Sequence, residues 1–169
     1  FLKVSNIEFW GLTYKWTSSD SKFTIILALI LIPLGALNAK GKWHLTQYPQ
    51  VRMTRWNKVE YITNLLSWGL YLLGYEFLFR GILFLGLIPF TGLYTAIGIN
   101  TTLYALAHLY KGKKETLGFI PLGIILCYIT WKTDTIWTAF AIHWIMAGNN
   151  FIWSHYYNSK PQNTFKQSN

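Results

Sequence analysis

Glu76, Arg80, His108 and His143 are the residues with which this chain could do chemistry. Glu76 and Arg80 stand one helical turn apart inside a long apolar run from Tyr61 to Phe90, and Glu76 is the only acidic residue in any hydrophobic stretch of the sequence. An ionisable pair in hydrocarbon regains almost none of the hydration it has lost, so it marks a candidate functional site. Glu followed by Arg at i+4 is also the favourable order for a helix ion pair, and on these two residues alone a structural and a catalytic reading stand level. His108 lies near a span end beside Tyr110 and Lys111, where an interfacial histidine is ordinary. His143 is deeper. Two histidines on different spans could ligate a haem or a chlorophyll, but no other feature supports that. Cys127 stands alone in an apolar span, which excludes a disulfide framework and a cysteine-based metal cluster and reads as packing. No metal and no cofactor is expected.

The elements that must position these groups are membrane helices. The composition is 52% hydrophobic, 18% aromatic and 12% charged, with the charges confined to short connections, and this describes an all-α, polytopic transmembrane bundle, integral to the membrane. Hydrophobic spans are expected at Phe23 to Leu37, Tyr61 to Phe90, Leu93 to Leu109, Leu117 to Trp131 and Ile136 to Trp153, about five in all. Only the second is comfortably longer than the roughly 20 residues that cross a bilayer core, so the others recruit flanking aromatics or sit inside the bundle. The expected organisation is a juxtamembrane segment over residues 1–22, a helical domain over 23–157 and a polar, disordered tail over 158–169. The chain opens on Phe1 without a signal-peptide pattern, which leaves room for further sequence upstream.

Most of the nine Trp residues fall at span ends or in connections, as anchors in the headgroup layer. The net charge of +9 could suggest nucleic acid. The basic residues Arg52 and Arg55, however, interleave with Trp43 and Trp56 beside a span, so these four are read as lipid-interface residues facing anionic lipid, with no nucleic-acid partner. Lys3, Lys15, Lys22 and Lys132 lie on one side of the expected bundle. Lys40, Lys42, Arg52, Arg55, Lys58, Lys111, Lys113, Lys114, Lys160 and Lys166 lie on the other. The second side, with the C-terminus, is expected in the cytoplasm.

Polar residues inside the spans form faces. Thr101, Tyr104 and His108 follow i, i+3, i+7 spacing, and His143, Asn150 and Ser154 follow i, i+7, i+11 with Ala147 between them. Asn64, Ser67, Tyr71 and Tyr75 make a third stripe, with Glu76 about 100° round from Tyr75. Three polar faces on three spans can meet only inside the bundle, which predicts an internal, water-containing cavity.

The segments Tyr75-Glu76-Phe77-Leu78-Phe79-Arg80-Gly81, Tyr104 to Leu109 and Ala141-Ile142-His143 resemble the three ordered motifs of the CAAX-protease and bacteriocin-processing (CPBP) family, Glu-Glu-x-x-x-Arg, Phe-x-x-x-His and His-x-x-x-Asn. The resemblance covers about Tyr61 to Trp153 and implies a CPBP-like core. In that family the paired carboxylates and the first histidine are taken to activate water, while the second histidine and the asparagine stabilise the oxyanion. By position, Glu76 matches the second glutamate, Arg80 the arginine, His108 the first histidine and His143 the second. Tyr75 stands where the first glutamate is expected, and a phenol titrating near about pH 10 is a poor base. Ala147 stands where the asparagine is expected; losing one oxyanion donor typically costs about 10²–10³ in rate. Asn150 lies on the same face about 4.5 Å further along the axis and is a possible substitute.

Three functions are therefore expected, in this order. The first is a catalytically impaired homologue serving as an accessory or scaffold subunit beside other membrane proteins. The second is an active intramembrane endopeptidase acting on prenylated or bacteriocin-like peptides. The third is a small transporter or proton relay using the same polar faces. Catalysis has a geometric condition: Glu76 lies about 15 residues into its span, roughly 22 Å along a helix, whereas His108 is near the end of its own. The two meet only if the third helix runs on past Lys111 or the second begins outside the membrane.

Overall fold

A computed structural model describes residues 7–13, 15–53 and 55–158. Asn158, the first residue of the expected 158–169 tail, is helical, and the rest of that tail and the side chain of Trp43 lie outside the described residues. Among the described residues, seven α-helices follow in order: α1 (Ser18–Asn38), α2 (Lys42–Gln47), α3 (Lys58–Glu76), α4 (Gly86–Thr91), α5 (Leu93–Leu106), α6 (Lys113–Thr133) and α7 (Trp137–Asn158). A nine-residue π-helix, Phe77–Leu85, joins α3 to α4 without a break. No strand occurs among the described residues, and the fold is all-α and of membrane type.

Four of these helices start for a visible local reason. Thr17 caps α1 in a capping box with Asp20, and Asn57 caps α3 in the same way with Glu60, satisfying N–H groups that the first turn leaves open. Gly92 and Gly112, at φ of 77° and 94°, turn the chain into α5 and α6. Asp134 adopts the left-handed conformation that ends α6.

Each of the five stretches read as spans carries helix. Among the described residues, three helical segments are long and apolar enough to cross a membrane: Ser18–Asn38, the continuous Lys58–Thr91 and Glu115–Thr133. The 14-residue α5 packs between the π-helix and α6. α7 packs chiefly on α1 and α3. α1 and α7 run parallel, since the hydroxyl of Thr138 donates to the buried carboxylate of Asp20 and the amide of Asn149 donates to the carbonyls of Leu31 and Ile32. The main apolar core joins Leu122, Leu126 and Ile129 of α6 to Ala139 and Ile142 of α7, and a second cluster holds Phe84, Ala96 and Cys127. Large apolar side chains such as Ile25, Leu29, Leu37, Ile62, Leu66 and Leu70 face outward. This inside-out distribution suits lipid as the solvent.

The N-terminal segment seals one end of the bundle. The carbonyl of Gly11 accepts from the Ile136 amide at 3.0 Å and the Thr135 hydroxyl at 3.1 Å, and that of Thr13 accepts from Trp137 Nε1 at 2.7 Å. The same segment leans on the π-helix, where a Cβ built on Gly81 would stand 2.7 Å from the backbone oxygen of Trp10. Backbone cannot swing aside as a side-chain tip can, so Gly81→Ala should destabilise the protein by about 1–3 kcal/mol. Gly74→Ala, whose methyl meets nothing within 4 Å, should be neutral or mildly stabilising. Thermal unfolding of both variants in one detergent checks the contrast; equal shifts would discount the Trp10 contact.

Candidate active site

α3 and the π-helix supply the central groups. Glu76, the last residue of α3, and Arg80, in the first turn of the π-helix, are both wholly buried. Glu76 Oε2 lies 3.3 Å from Arg80 Nε, and Glu76 Oε1 accepts a hydrogen bond from His143 Nδ1 at 2.6 Å. The Arg80 guanidinium sits 4.3 Å above the Tyr104 ring, a cation–π contact strengthened by desolvation. One carboxylate therefore ties together the π-helix and α7, and α5 closes over its cation.

α5 delivers its part of the site just beyond its last turn. His108 is buried, and its Nδ1–H donates to the Tyr104 carbonyl at 2.8 Å while its ring stacks on Phe119 at 3.7 Å. That bond fixes the tautomer, leaving Nε2 of the neutral ring free to take a proton. The interfacial reading of His108 is corrected accordingly: α5 ends at Leu106, and the 3₁₀ turn Leu109–Lys111 folds the chain back so that the histidine points into the bundle. Of the two conditions set for Glu76 and His108 to meet, the third helix does not run on past Lys111, since α5 ends at Leu106, while α3 begins at Lys58, three residues before the expected start.

The Tyr75 ring is the hub. It lies 6.0 Å from His108, 5.7 Å from His143, 5.9 Å from Tyr104 and 4.5 Å from Phe79. Beside it is a cavity of about 80 Å³ whose wall includes Tyr75, His108, His143, Ala147, Asn150 and Asn64. That is room for several waters. Each of the three polar faces thus contributes to one cavity, through Asn64, Tyr71 and Tyr75, through His108, and through His143 and Asn150, whereas Ser67, Thr101, Tyr104 and Ser154 are not among its lining residues. Glu76 and Arg80 stand behind its wall, and no Asp or Glu is among its described lining residues.

A second cavity, of about 510 Å³, lies between α1, α2, α6 and α7. Tyr48, Phe119, Met146 and Asn150 line both spaces. Tyr48 is held in that partition, its hydroxyl donating to Glu115 Oε2 at 3.3 Å and accepting from Lys111 Nζ at 3.5 Å. Burial, with the Glu115 charge adding to it, pushes the Tyr48 phenol up, and burial holds Lys111 and His44 below their ordinary values.

Residues 57–148, more than half of the chain, match the family model described as type II CAAX prenyl endopeptidase, Rce1-like. The chain belongs to the Rce1-like family. The match takes in Glu76, Arg80, His108, His143 and Ala147, and it stops just short of Asn150. No curated protein and no solved structure matches the chain.

Two site features of this Rce1-like protein escape a reading of the sequence. One is the π-helix itself. The other is Asn100, wholly buried, whose amide donates to the Phe79 carbonyl inside the π-helix while its oxygen lies 3.1 Å from Cys127 Sγ. A π-helix is commonly a feature of functional sites, and here a neighbouring helix supplies a dedicated donor to it. An Asn in the middle of an apolar span was the available signal. Of the lipid-interface residues, Arg52 and Arg55 are exposed and Trp56 is half-buried against Phe151.

Proposed function

We propose that this protein is an Rce1-like membrane protein with impaired peptidase chemistry, serving as an accessory or scaffold subunit of a membrane complex. One observation carries the reading. The cavity where a peptide carbonyl and a water would meet is lined by Tyr75, His108 and His143 and, among its described lining residues, by no carboxylate, because Glu76 is engaged by Arg80 and His143 behind the wall. A general base must lie within hydrogen-bond reach of the water it activates. In this arrangement Glu76 is spent on orienting His143 and neutralising Arg80, and Ala147 offers nothing to an oxyanion. The outward apolar face of α1, with Ile25, Ile26, Leu29 and Leu37 exposed, suits lipid or a neighbouring membrane helix.

The alternative is a working endopeptidase. The position of Asn150 on the same cavity as His108 favours it, since an amide donor and an imidazole base are both at hand. Assay of the purified chain against prenylated and unprenylated C-terminal peptides separates the two. Cleavage no faster than that of Glu76→Gln and His108→Ala is expected, together with a stoichiometric partner when the protein is isolated from native membranes. Turnover that disappears in His108→Ala would sink the scaffold reading.

A further inference from the structure

We propose that the cavity between the α2–α3 connection and the end of α7 binds the phosphodiester headgroup of an anionic phospholipid. This cavity, about 310 Å³, is separate from the two described above, and Arg52, Arg55, Trp56, His155 and Asn158 are among its lining residues. Two guanidiniums from one strand of connection therefore meet an imidazole and an amide from a helix about 100 residues later in the chain. No Asp or Glu is among its described lining residues. Glu60, the nearest carboxylate in sequence, is engaged in the α3 capping box, where it accepts from the Asn57 amide at 2.8 Å.

The site is built rather than merely basic. Arg52 Nη2 donates to the Thr46 carbonyl, which holds the guanidinium in place and leaves its other N–H groups for a second acceptor. Trp56 is fixed by edge contacts with Phe151 at 5.0 Å, Tyr61 at 6.4 Å and His155 at 6.3 Å, so the back wall is rigid. Planar guanidiniums recognise phosphate oxygens in pairs, where a lysine offers only a point charge.

The position of the cavity selects a lipid over free phosphate. It lies beside the start of the Lys58–Thr91 helix, one of those long and apolar enough to span a membrane, and therefore at headgroup level. Val51, Met53 and Val59, which flank the arginines, are 45%, 42% and 73% exposed. Exposed apolar residues on both sides of Arg52, with Val59 at the start of α3, suit acyl chains below a headgroup and serve no purpose for a soluble anion.

The test uses the full chain in a neutral detergent. Its unfolding temperature is measured with added short-chain phosphatidylglycerol, with phosphatidylcholine of the same chain length, and with inorganic phosphate. Phosphatidylglycerol should raise the unfolding temperature by several degrees, the rise should fade with added salt, and Arg52→Gln/Arg55→Gln should abolish it, while Lys132→Gln on the far side of the bundle should keep it. An equal rise with phosphatidylcholine, or one that survives in the double variant, would overturn the site; an equal rise with inorganic phosphate would overturn the lipid. Should the double variant not fold, Arg55→Gln alone and lipid competition on the wild-type protein by native mass spectrometry decide the same question. Retention of phosphatidylcholine as readily as phosphatidylglycerol counts against the proposal.

Discussion

Glu76→Gln should cost about 3–5 kcal/mol of stability, more than any other single substitution in the core. The two partners of this ion pair are not equivalent. When Arg80 is removed, as in Arg80→Met, the carboxylate can neutralise itself by taking up a proton and keeps the hydrogen bond to His143. When Glu76 loses its charge, Arg80 has no such escape, because a guanidinium is not deprotonated in proteins and this one is wholly buried. Glu76→Gln should therefore destabilise more than Arg80→Met. The double variant Glu76→Gln/Arg80→Met should recover much of the loss, since it removes the buried charge altogether. Unfolding of the three variants and the wild type in one detergent gives the ranking. A double variant less stable than Glu76→Gln would mean that the pair contributes something other than mutual neutralisation.

Restoring the two missing groups should create peptidase activity. The Tyr75 ring is within about 6 Å of both His108 and His143, and its side chain lines the small cavity. A carboxylate there would face both imidazoles, with room for a water between them. Ala147 lines the same cavity one helical turn beyond His143, so Ala147→Asn would direct an amide into it. Each oxyanion donor is typically worth about 10²–10³ in rate, and a well-placed general base contributes about 10²–10⁴. Tyr75→Glu/Ala147→Asn should therefore cleave a prenylated C-terminal peptide at least 10²-fold faster than the wild type, with Tyr75→Glu alone intermediate. The gain should vanish when His108→Ala is added. A wild type already as fast as the double variant would show that neither position limits the chemistry and would favour the endopeptidase reading with Asn150 as donor.

The membrane class and the helix positions were legible because they rest on composition and long apolar runs, which lipid enforces over many residues at once. The motif residues were legible for the same reason: Glu76 and Arg80 are conspicuous where nothing else is charged. What the sequence could not place was the burial of His108. That depends on a short 3₁₀ turn, Leu109–Lys111, and on Gly112, local features whose effect on direction no periodicity reports. The division of labour at Glu76 was equally hidden. The i+4 spacing announced Arg80, but the bond to His143 joins residues 67 positions apart and follows only from the packing of α7 on α3. Asp20 is the same case at the start of α1: the carboxylate that completes the Thr17 capping box also accepts from Thr138 and fastens α1 to α7.

The π-helix at Phe77–Leu85 bears on how this chain can be lined up with its relatives. Hydrogen bonds from i to i+5 accommodate one more residue than the α pattern over the same stretch, so such a segment behaves like an inserted residue that the fold has absorbed. Removing one residue between Gly81 and Leu85 would let the helix close back into α geometry with everything after it keeping its orientation relative to Glu76, whereas the same deletion in a plain α-helix would turn it by about 100°. A gap of one residue in this stretch is therefore a structural boundary rather than noise.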